Sequence, residues 1–485
     1  MRMLPPLALG FAFAAIASMS CSDDGPTGPG DPYRAIIEEF GLEPLGSIPY
    51  PPGNRFNAHR IALGQLLFFD PILGGESAPW IKAAAGREPY RYRGNDVACA
   101  TCHHPTLGFA DGRNLGAGVS GAHLNGEDLG PQRVVPGRSL FTDTPVGTEP
   151  RNSPTILNTA FNGKNGPDPV FDSFQFLDGR VDQGLEQQAT LPVTSRDEMA
   201  GDCFGEVVTD LDKEMVRDSL NARIRDLPGY VARFVQAFPG EVFDAPGITY
   251  DHIARAIAAY ERELITPGSR YDRFVMGNRD VFTAAEKRGF ELFFGKGLCG
   301  DCHNGPMLSD FTFRVQGVGD GYDQIFGDAF GGKNGAGGDF GRFHADPGLF
   351  GDFKYAFRTL TIRNVEITGP YFHSGSAGTL QEVIEFYNRG GLGPQDISTE
   401  QLDAEGAVRD PSIRPLGLTG PEIDDIAAFM KTTTAAVQPG PSGMDLTAVP
   451  RRVPSGLLPP GVATPDTPGP YFPQKGDLVE LSGPR

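Results

Sequence analysis

The sequence is poor in tryptophan, with one residue in 485, and in cysteine, with six. So few cysteines argue against a small fold stapled by disulfides, and a chain this long can bury two or three hydrophobic cores without them. Basic residues are outnumbered by acidic ones, 42 to 61, giving a formal charge of −19. That balance argues against nucleic acid and anionic membrane surfaces as ligands, and suits either a partner with a basic patch or simple solubility. No segment is apolar for long enough to cross a bilayer, and period-two alternation is scarce, so strands should be few. What the chain has in excess is glycine (65) and proline (43), which predicts much loop.

The opening "MRMLPPLALGFAFAAIASMSC" has a basic residue, a short apolar run and small residues, the pattern of an export signal over residues 1–20. The expected location is periplasmic or otherwise extracytoplasmic. Cys21 precedes the loose, acidic "SDDGPTGPGDP", so either it is lipidated and residues 21–54 are a tether and N-terminal segment, or cleavage is ordinary.

Helical periodicity dominates the interior. "NAHRIALGQLLFFDPIL", "MVRDSLNARIRDLPGYVARFVQAF" and "YDHIARAIAAYERELI" repeat apolar residues at helical spacing. Three more helix starts are marked by Thr followed three places later by Glu: Thr283/Glu286, Thr379/Glu382 and Thr419/Glu422. Long Gly/Asp/Pro-rich connections at 112–150 and 317–350 predict loops that wrap a cofactor or form a binding surface. The expected organisation is all-α, with one helical domain over 55–278, a second over 279–436, and an extended Pro/Gly-rich tail over 437–485.

Four cysteines fall in two identical frames, Cys99-x-x-Cys102-His103 and Cys299-x-x-Cys302-His303. Cys-x-x-Cys-His is the attachment frame of a c-type haem, in which two thiols bond the macrocycle and the adjacent imidazole reaches the iron. A zinc site would need two further ligands that neither copy has nearby, and a redox dithiol needs no His. Two copies in one helical chain predict two covalently bound haems, one per domain. Cys203 has no partner by spacing, and His104 is expected at the surface beside the first haem.

Between residues 57 and 434 the chain resembles the bacterial di-haem cytochrome c peroxidase and MauG family. The resemblance rests on ordered blocks: "ALGQLLFFDPIL", "CATCHHPTLGFADG", "PRNSPTILNTAF", "FLDGR", "QATLPVTSRDEM", "FELFFGKGLCGDCHNGPMLSD", "FRTLTIRNVEITGPYFHSGSAGTLQEVIEFYNRGG" and "LTGPEIDDIAAFMKT". It implies two cytochrome c-like domains, a peroxidatic haem in the first, an electron-transferring haem in the second and a calcium ion between them. Gln188 matches the family's distal amide and Glu198 its acid/base carboxylate, with Pro192 shaping the pocket. Asn152, Thr368 and Pro370 match the calcium ligands, and His373 is placed beside the second haem. The implied substrate is hydrogen peroxide and the implied donor a small redox protein, a c-type cytochrome or cupredoxin.

Three positions depart from the family or vary within it. Where some members hold a distal His that is released on reduction, this chain has Val119, with His123 nearby; the first iron is expected open on that side unless His123 takes the role. Tyr387 falls at the variable axial position of the second haem, yet Leu380, Val383, Ile384 and Tyr387 also form one helical stripe, so Tyr387 is either a ligand or a core aromatic. Met307 and Met430 are its rivals. Leu177 stands where the family has an inter-haem Trp; the single Trp is Trp80. Transfer between the haems then has to pass through packed side chains and propionates. The resulting expectation is a peroxide-reducing oxidoreductase. The alternatives are MauG-like oxidation of a partner protein's side chains, and a non-catalytic electron carrier or sensor.

Overall fold

The computed structural model describes residues 30–75, 97–112, 137–138, 145–146, 151–163, 173–200, 204, 209–319, 339–345, 353–393, 396–457 and 459. Cys21, Trp80, Val119, His123 and Cys203 lie outside them. The fold is mostly helical, with little sheet. In chain order the helices include α1 (Arg34–Glu39), α2 (Ala58–Phe69), α3 (Gly184–Gln188), α4 (Asp210–Arg225), α5 (Pro228–Ala237), α6 (Tyr250–Arg262), α7 (Ala284–Phe294), α8 (Leu380–Asn388) and α9 (Gly420–Lys431). Among the described residues the sheet amounts to two short antiparallel ladders, β1 (Gly137–Arg138) with β2 (Pro145–Val146) and β3 (Phe313–Val315) with β4 (Ala356–Arg358). None of the helices is long and apolar enough to cross a membrane.

The three Thr/Glu starts are capped as the spacing predicts. Thr283, Thr379 and Thr419 precede α7, α8 and α9, and each backbone N–H donates to the Glu three residues on, at 2.7, 3.1 and 2.7 Å. The long pattern over 215–238 divides into α4 and α5 at Leu227, because Pro228 has no N–H to continue the ladder and is tolerated only in the first turn of a new helix.

Two hydrophobic cores result. The first joins α2, α4, α5 and α6 through Phe68, Leu220, Phe234 and Tyr260; the second joins α7, α8 and α9 through Phe290, Phe293, Ile384 and Phe429. Each is organised by one close helix crossing, and the two crossings match in detail. A Cβ on Gly64 of α2 would lie 1.9 Å from the Ala256 carbonyl oxygen and 2.9 Å from Tyr260 Cβ of α6. A Cβ on Gly289 of α7 would lie 1.9 Å from the Asp425 carbonyl oxygen and 2.9 Å from Phe429 Cβ of α9. Only glycine lets the backbones approach this far, so the same device is used twice.

The described parts of the segments whose composition suggested a tether and a tail pack on the two cores. Tyr33, Ile36 and Phe40 of the N-terminal segment pack on the second core, with Leu42 buried in it. The segment after α9 crosses back to the first core, where Leu446 is buried beside Met444 and Val449. Tyr260 Oη donates to the Leu446 carbonyl at 2.6 Å, and Gln65 Nε2 to those of Asp445 and Ala448 at 2.9 and 3.1 Å. The Ser455 and Tyr230 hydroxyls both donate to buried Asp70, each at 2.6 Å. Proline and glycine break helices here without preventing burial, because the interspersed apolar side chains still gain by leaving water.

Candidate active site

Both attachment frames open on one continuous cavity. It is lined by Cys99, Cys102 and His103 and by Cys299, Cys302 and His303, and encloses about 2940 Å³ including its open mouth. Cys99–Cys102 is a single helical turn and Cys299–Asp301 a tighter 3₁₀ turn, so each pair of thiols is held on one side of a compact loop. None of the four is in a disulfide.

The two histidines are held alike. His103 Nδ1 lies 3.1 Å from the Phe109 carbonyl, and His303 Nδ1 lies 3.0 Å from that of Leu308. A carbonyl can only accept, so Nδ1 carries the proton and Nε2 keeps its lone pair. Burial also holds both imidazoles below their ordinary range, and therefore neutral. Free thiols in pairs, a neutral imidazole with a fixed tautomer, and a large cavity between them fit a c-type haem at each frame. His104 turns out buried, at 5 % exposure, instead of lying at the surface. Its Nδ1 accepts from the Thr106 N–H and so closes the turn at Pro105–Leu107.

Gln188, Pro192 and Glu198 all line the cavity. Gln188 ends α3, and its buried Oε1 has no hydrogen-bond partner among the described residues. An orphaned acceptor at a cavity wall is costly unless a bound group satisfies it. Pro192 opens a 3₁₀ turn over Pro192–Thr194. Glu198 sits in a π-helical turn, Arg196–Ala200, in which the Ala200 N–H reaches back to Ser195 at 2.8 Å. Such turns widen the backbone and recur at functional sites. Arg180 lies 3.3 Å from the Glu198 carboxylate and 3.4 Å from Asp178, while Asp178 and Asp339 both pair with Arg151 at 2.6 Å. Glu198 thus belongs to a charged chain that also includes Arg180, Asp178, Arg151 and Asp339.

On the second side, Leu380, Val383, Ile384 and Tyr387 all face the cavity. The stripe on α8 therefore serves both surfaces, with Leu380 and Ile384 belonging to the second core while all four side chains also line the cavity. Burial holds the Tyr387 phenol well above its ordinary range, and Cys302 and Cys299 lie near enough to add to the effect. Met430 lines the same cavity, whereas Met307 packs with Leu45 and Phe311 in a separate cluster. His373 is buried and stacked on Phe357 with ring centroids 3.9 Å apart; burial lowers its pKa to about 4. Leu177, at 7 % exposure, is a wall residue between the two sides.

The three residues matched to calcium also come together. Asn152, Thr368 and Pro370 line the cavity, and Asn152 Nδ2 donates to the Pro370 carbonyl at 2.8 Å. A cation at this point would need the amide turned so that Oδ1 faces it, giving neutral oxygen donors of the kind calcium accepts. No cluster of three His, Cys, Asp or Glu side chains suited to a metal occurs among the described residues.

Two cavity residues escaped the sequence reading. Glu261 of α6 is 4 % exposed, and its Oε2 has no partner among the described residues; its pKa is pushed up to about 8 by burial, opposed by Arg262 and aided by Glu186. In the sequence it is one more polar residue in an amphipathic helix. Arg358, on β4, is 6 % exposed, and nothing local marked it.

Residues 58–280 match the sequence signature of a family described as di-haem cytochrome c peroxidase. The cytochrome-c peroxidase IdrP1 of Denitromonas iodatirespirans is 31% identical over 406 residues, covering 80% of this chain and 85% of its own. The methylamine utilization protein MauG of Methylorubrum extorquens is 29% identical over 389 residues, covering 80% and 82%. Among solved structures, a MauG-like protein associated with microbial copper homeostasis shares the fold, with a TM-score of 0.58 at 24% identity over 84% of this chain and 97% of its own. A cavity lined by two Cys-x-x-Cys-His frames, together with these sequence relationships, places the chain in the di-haem cytochrome c peroxidase family, as an oxidoreductase that reduces peroxide.

Proposed function

We propose that hydrogen peroxide is reduced on the His103 side of the cavity, with Gln188 and Glu198 as the residues that handle its protons. The observation that carries this reading is the unpartnered Oε1 of Gln188 in the same wall as Glu198. Two c-type haems, one at each frame and each in its own cytochrome c-like domain, supply the redox-active iron when bound. The thiols of Cys99 and Cys102, and of Cys299 and Cys302, would hold them, and the Nε2 atoms of His103 and His303 carry the lone pairs that would serve the iron.

The chain's own part in the reaction follows from its side chains. Gln188 offers an acceptor and an amide donor, and orients peroxide by both of its oxygens. Glu198 removes the proton from one peroxide oxygen and returns it to the other, which leaves as water; Arg180 keeps the carboxylate aimed. Pro192, with no N–H of its own, closes the pocket beside them without adding a competing donor. Electrons arrive from a small redox protein, a c-type cytochrome or cupredoxin, through the His303 side, where Tyr387 is the residue that would serve the second haem as a further ligand. Asn152, Thr368 and Pro370 are the residues that would hold a calcium ion, through neutral oxygen donors. The protein works outside the cytoplasm, either free after cleavage of its leader or anchored through Cys21.

A second reading is oxidation of a partner protein's side chains, as implied by the MauG-like character of Tyr387; Leu177, at the place of an oxidisable indole, counts against it. Stopped-flow mixing of the haem-loaded protein with peroxide tests the first reading. A rapid change of the Soret band that is slowed in Glu198→Gln is expected, and an unchanged band in the wild type would exclude it.

A further inference from the structure

Four arginines line the cavity among the described residues: Arg151, Arg180, Arg314 and Arg358. Three have carboxylates. Arg151 is paired with Asp178 and Asp339, Arg180 with Asp178 and Glu198, and Arg314 with Asp310 at 2.6 Å and Asp410 at 3.3 Å. Arg358 has none among the described residues. Its Nη1 is buried without a hydrogen-bond partner, and its residue exposure is 6 %. A buried guanidinium with no carboxylate in contact is costly, and the side chain keeps its proton, since burial lowers its pKa only to about 10 while the charge of Asp178 opposes the fall. The cavity wall therefore carries a fixed guanidinium that touches no carboxylate among the described residues and whose Nη1 lacks a hydrogen-bond partner, with Asp178 acting on it only from a distance.

Its location says which anion it takes. Arg358 ends β4, pairing with Phe313 of β3, and Arg314 on that strand lies next to Cys302 of the second attachment frame. The same residue is also fastened to the other side of the cavity. Its backbone N–H donates to the Leu177 carbonyl at 2.8 Å, and its Nε donates to the Phe176 carbonyl at 3.1 Å. One hydrogen bond from the backbone and one from the guanidinium thus fix Arg358 against the segment where Leu177 stands in place of an indole.

We propose that Arg358 is a positioning residue that grips a propionate carboxylate of the second haem and ties it to the backbone of Phe176 and Leu177. This rests on the reading that a haem is bound at Cys299, Cys302 and His303. The pair satisfies Nη1, neutralises the carboxylate, and gives the second haem a hydrogen-bonded path into a segment that has no oxidisable side chain at Leu177. A neutralised propionate no longer favours the oxidised, more positive iron, so the grip holds the second haem's reduction potential up.

The test is a spectroscopic redox titration of the haem-loaded wild type, Arg358→Leu and Arg358→Lys, without peroxide, with haem content and far-ultraviolet circular dichroism confirming that each variant is loaded and folded. In Arg358→Leu the reduction equilibrium of the second haem should shift toward the oxidised form about tenfold, or about 59 mV for a one-electron couple. In Arg358→Lys, which keeps the charge, most of that shift should be restored. A second-haem midpoint unmoved in Arg358→Leu overturns the assignment whatever peroxide turnover does, and so does a shift confined to the first haem. A lowered second-haem midpoint with unchanged turnover supports the grip while removing the electron relay from the proposed function.

Discussion

Glu261 and Met430 occupy the same place in the two halves of the molecule. Each follows the aromatic residue that packs on a helix-crossing glycine, Tyr260 on Gly64 and Phe429 on Gly289, and each lines the cavity. The backbones repeat, but one half presents a carboxyl where the other presents a thioether. The repeated frame therefore fixes the position of the residue and leaves its chemistry free to differ between the two sides.

The carboxyl has a measurable consequence. Glu261 keeps its proton in the native protein up to about pH 8, against an ordinary value of 4.5. In the unfolded chain it ionises first, so stability falls as pH rises from the lower value to the higher, by up to ~1.4 kcal/mol per pH unit. Denaturant titrations of wild type and Glu261→Gln at about pH 5 and about pH 8 should show a gap that moves in favour of the variant as pH rises. A gap independent of pH would mean that Glu261 finds a proton-donating or cationic partner in the loaded protein.

Peroxide turnover should depend on the distal pair to different degrees. Glu198→Gln removes proton transfer and should lower kcat by about 10²- to 10⁴-fold. Gln188→Leu removes orientation alone and should cost about 10²-fold. Steady-state assays with a small c-type cytochrome as donor, at matched haem content, separate the two. Equal, small losses would place the proton-handling residue elsewhere.

Tyr387→Met should raise the midpoint potential of the second haem, since a thioether favours reduced iron where a phenolic oxygen favours oxidised iron. Electron paramagnetic resonance of the ferric protein should change only in the signals of that haem. If potential and spectrum both stay as in the wild type, Tyr387 is a cavity wall and Met430 becomes the residue to replace.

The C-terminal segment should matter to the first core although it lies beyond the second. Leu446 is 2 % exposed against residues that precede it by some two hundred positions. Leu446→Ala should cost ~2–5 kcal/mol, read as a lowered denaturant midpoint. A loss within experimental error would show that the crossing segment is dispensable.

What the sequence made legible was local. The two Cys-x-x-Cys-His frames, the three Thr/Glu caps and the apolar stripe of α8 each depend on residues a few positions apart, and spacing alone displays them. Gln188 and Glu198 became candidates by family resemblance, because a loop amide and a loop acid have no periodicity of their own. Arg358, Glu261 and Leu446 were missed for one shared reason. Their roles depend on partners from distant segments: Phe176 for Arg358, the attachment frame for Glu261 and Tyr260 for Leu446. The position of His104 failed in the opposite way, since adjacency to the first frame suggested a solvent-facing residue while its hydrogen bond to the next turn drew it inside.

The crossed ends also impose an order on how the protein is made. Synthesis runs from the N-terminus, so the first attachment frame emerges long before residue 446, and until then the first core has an open seam along Tyr260 and Gln65. The CATCHH frame is then made while the core it packs on is unfinished, and the segment over 444–449 is the last contributor to that core to be synthesised.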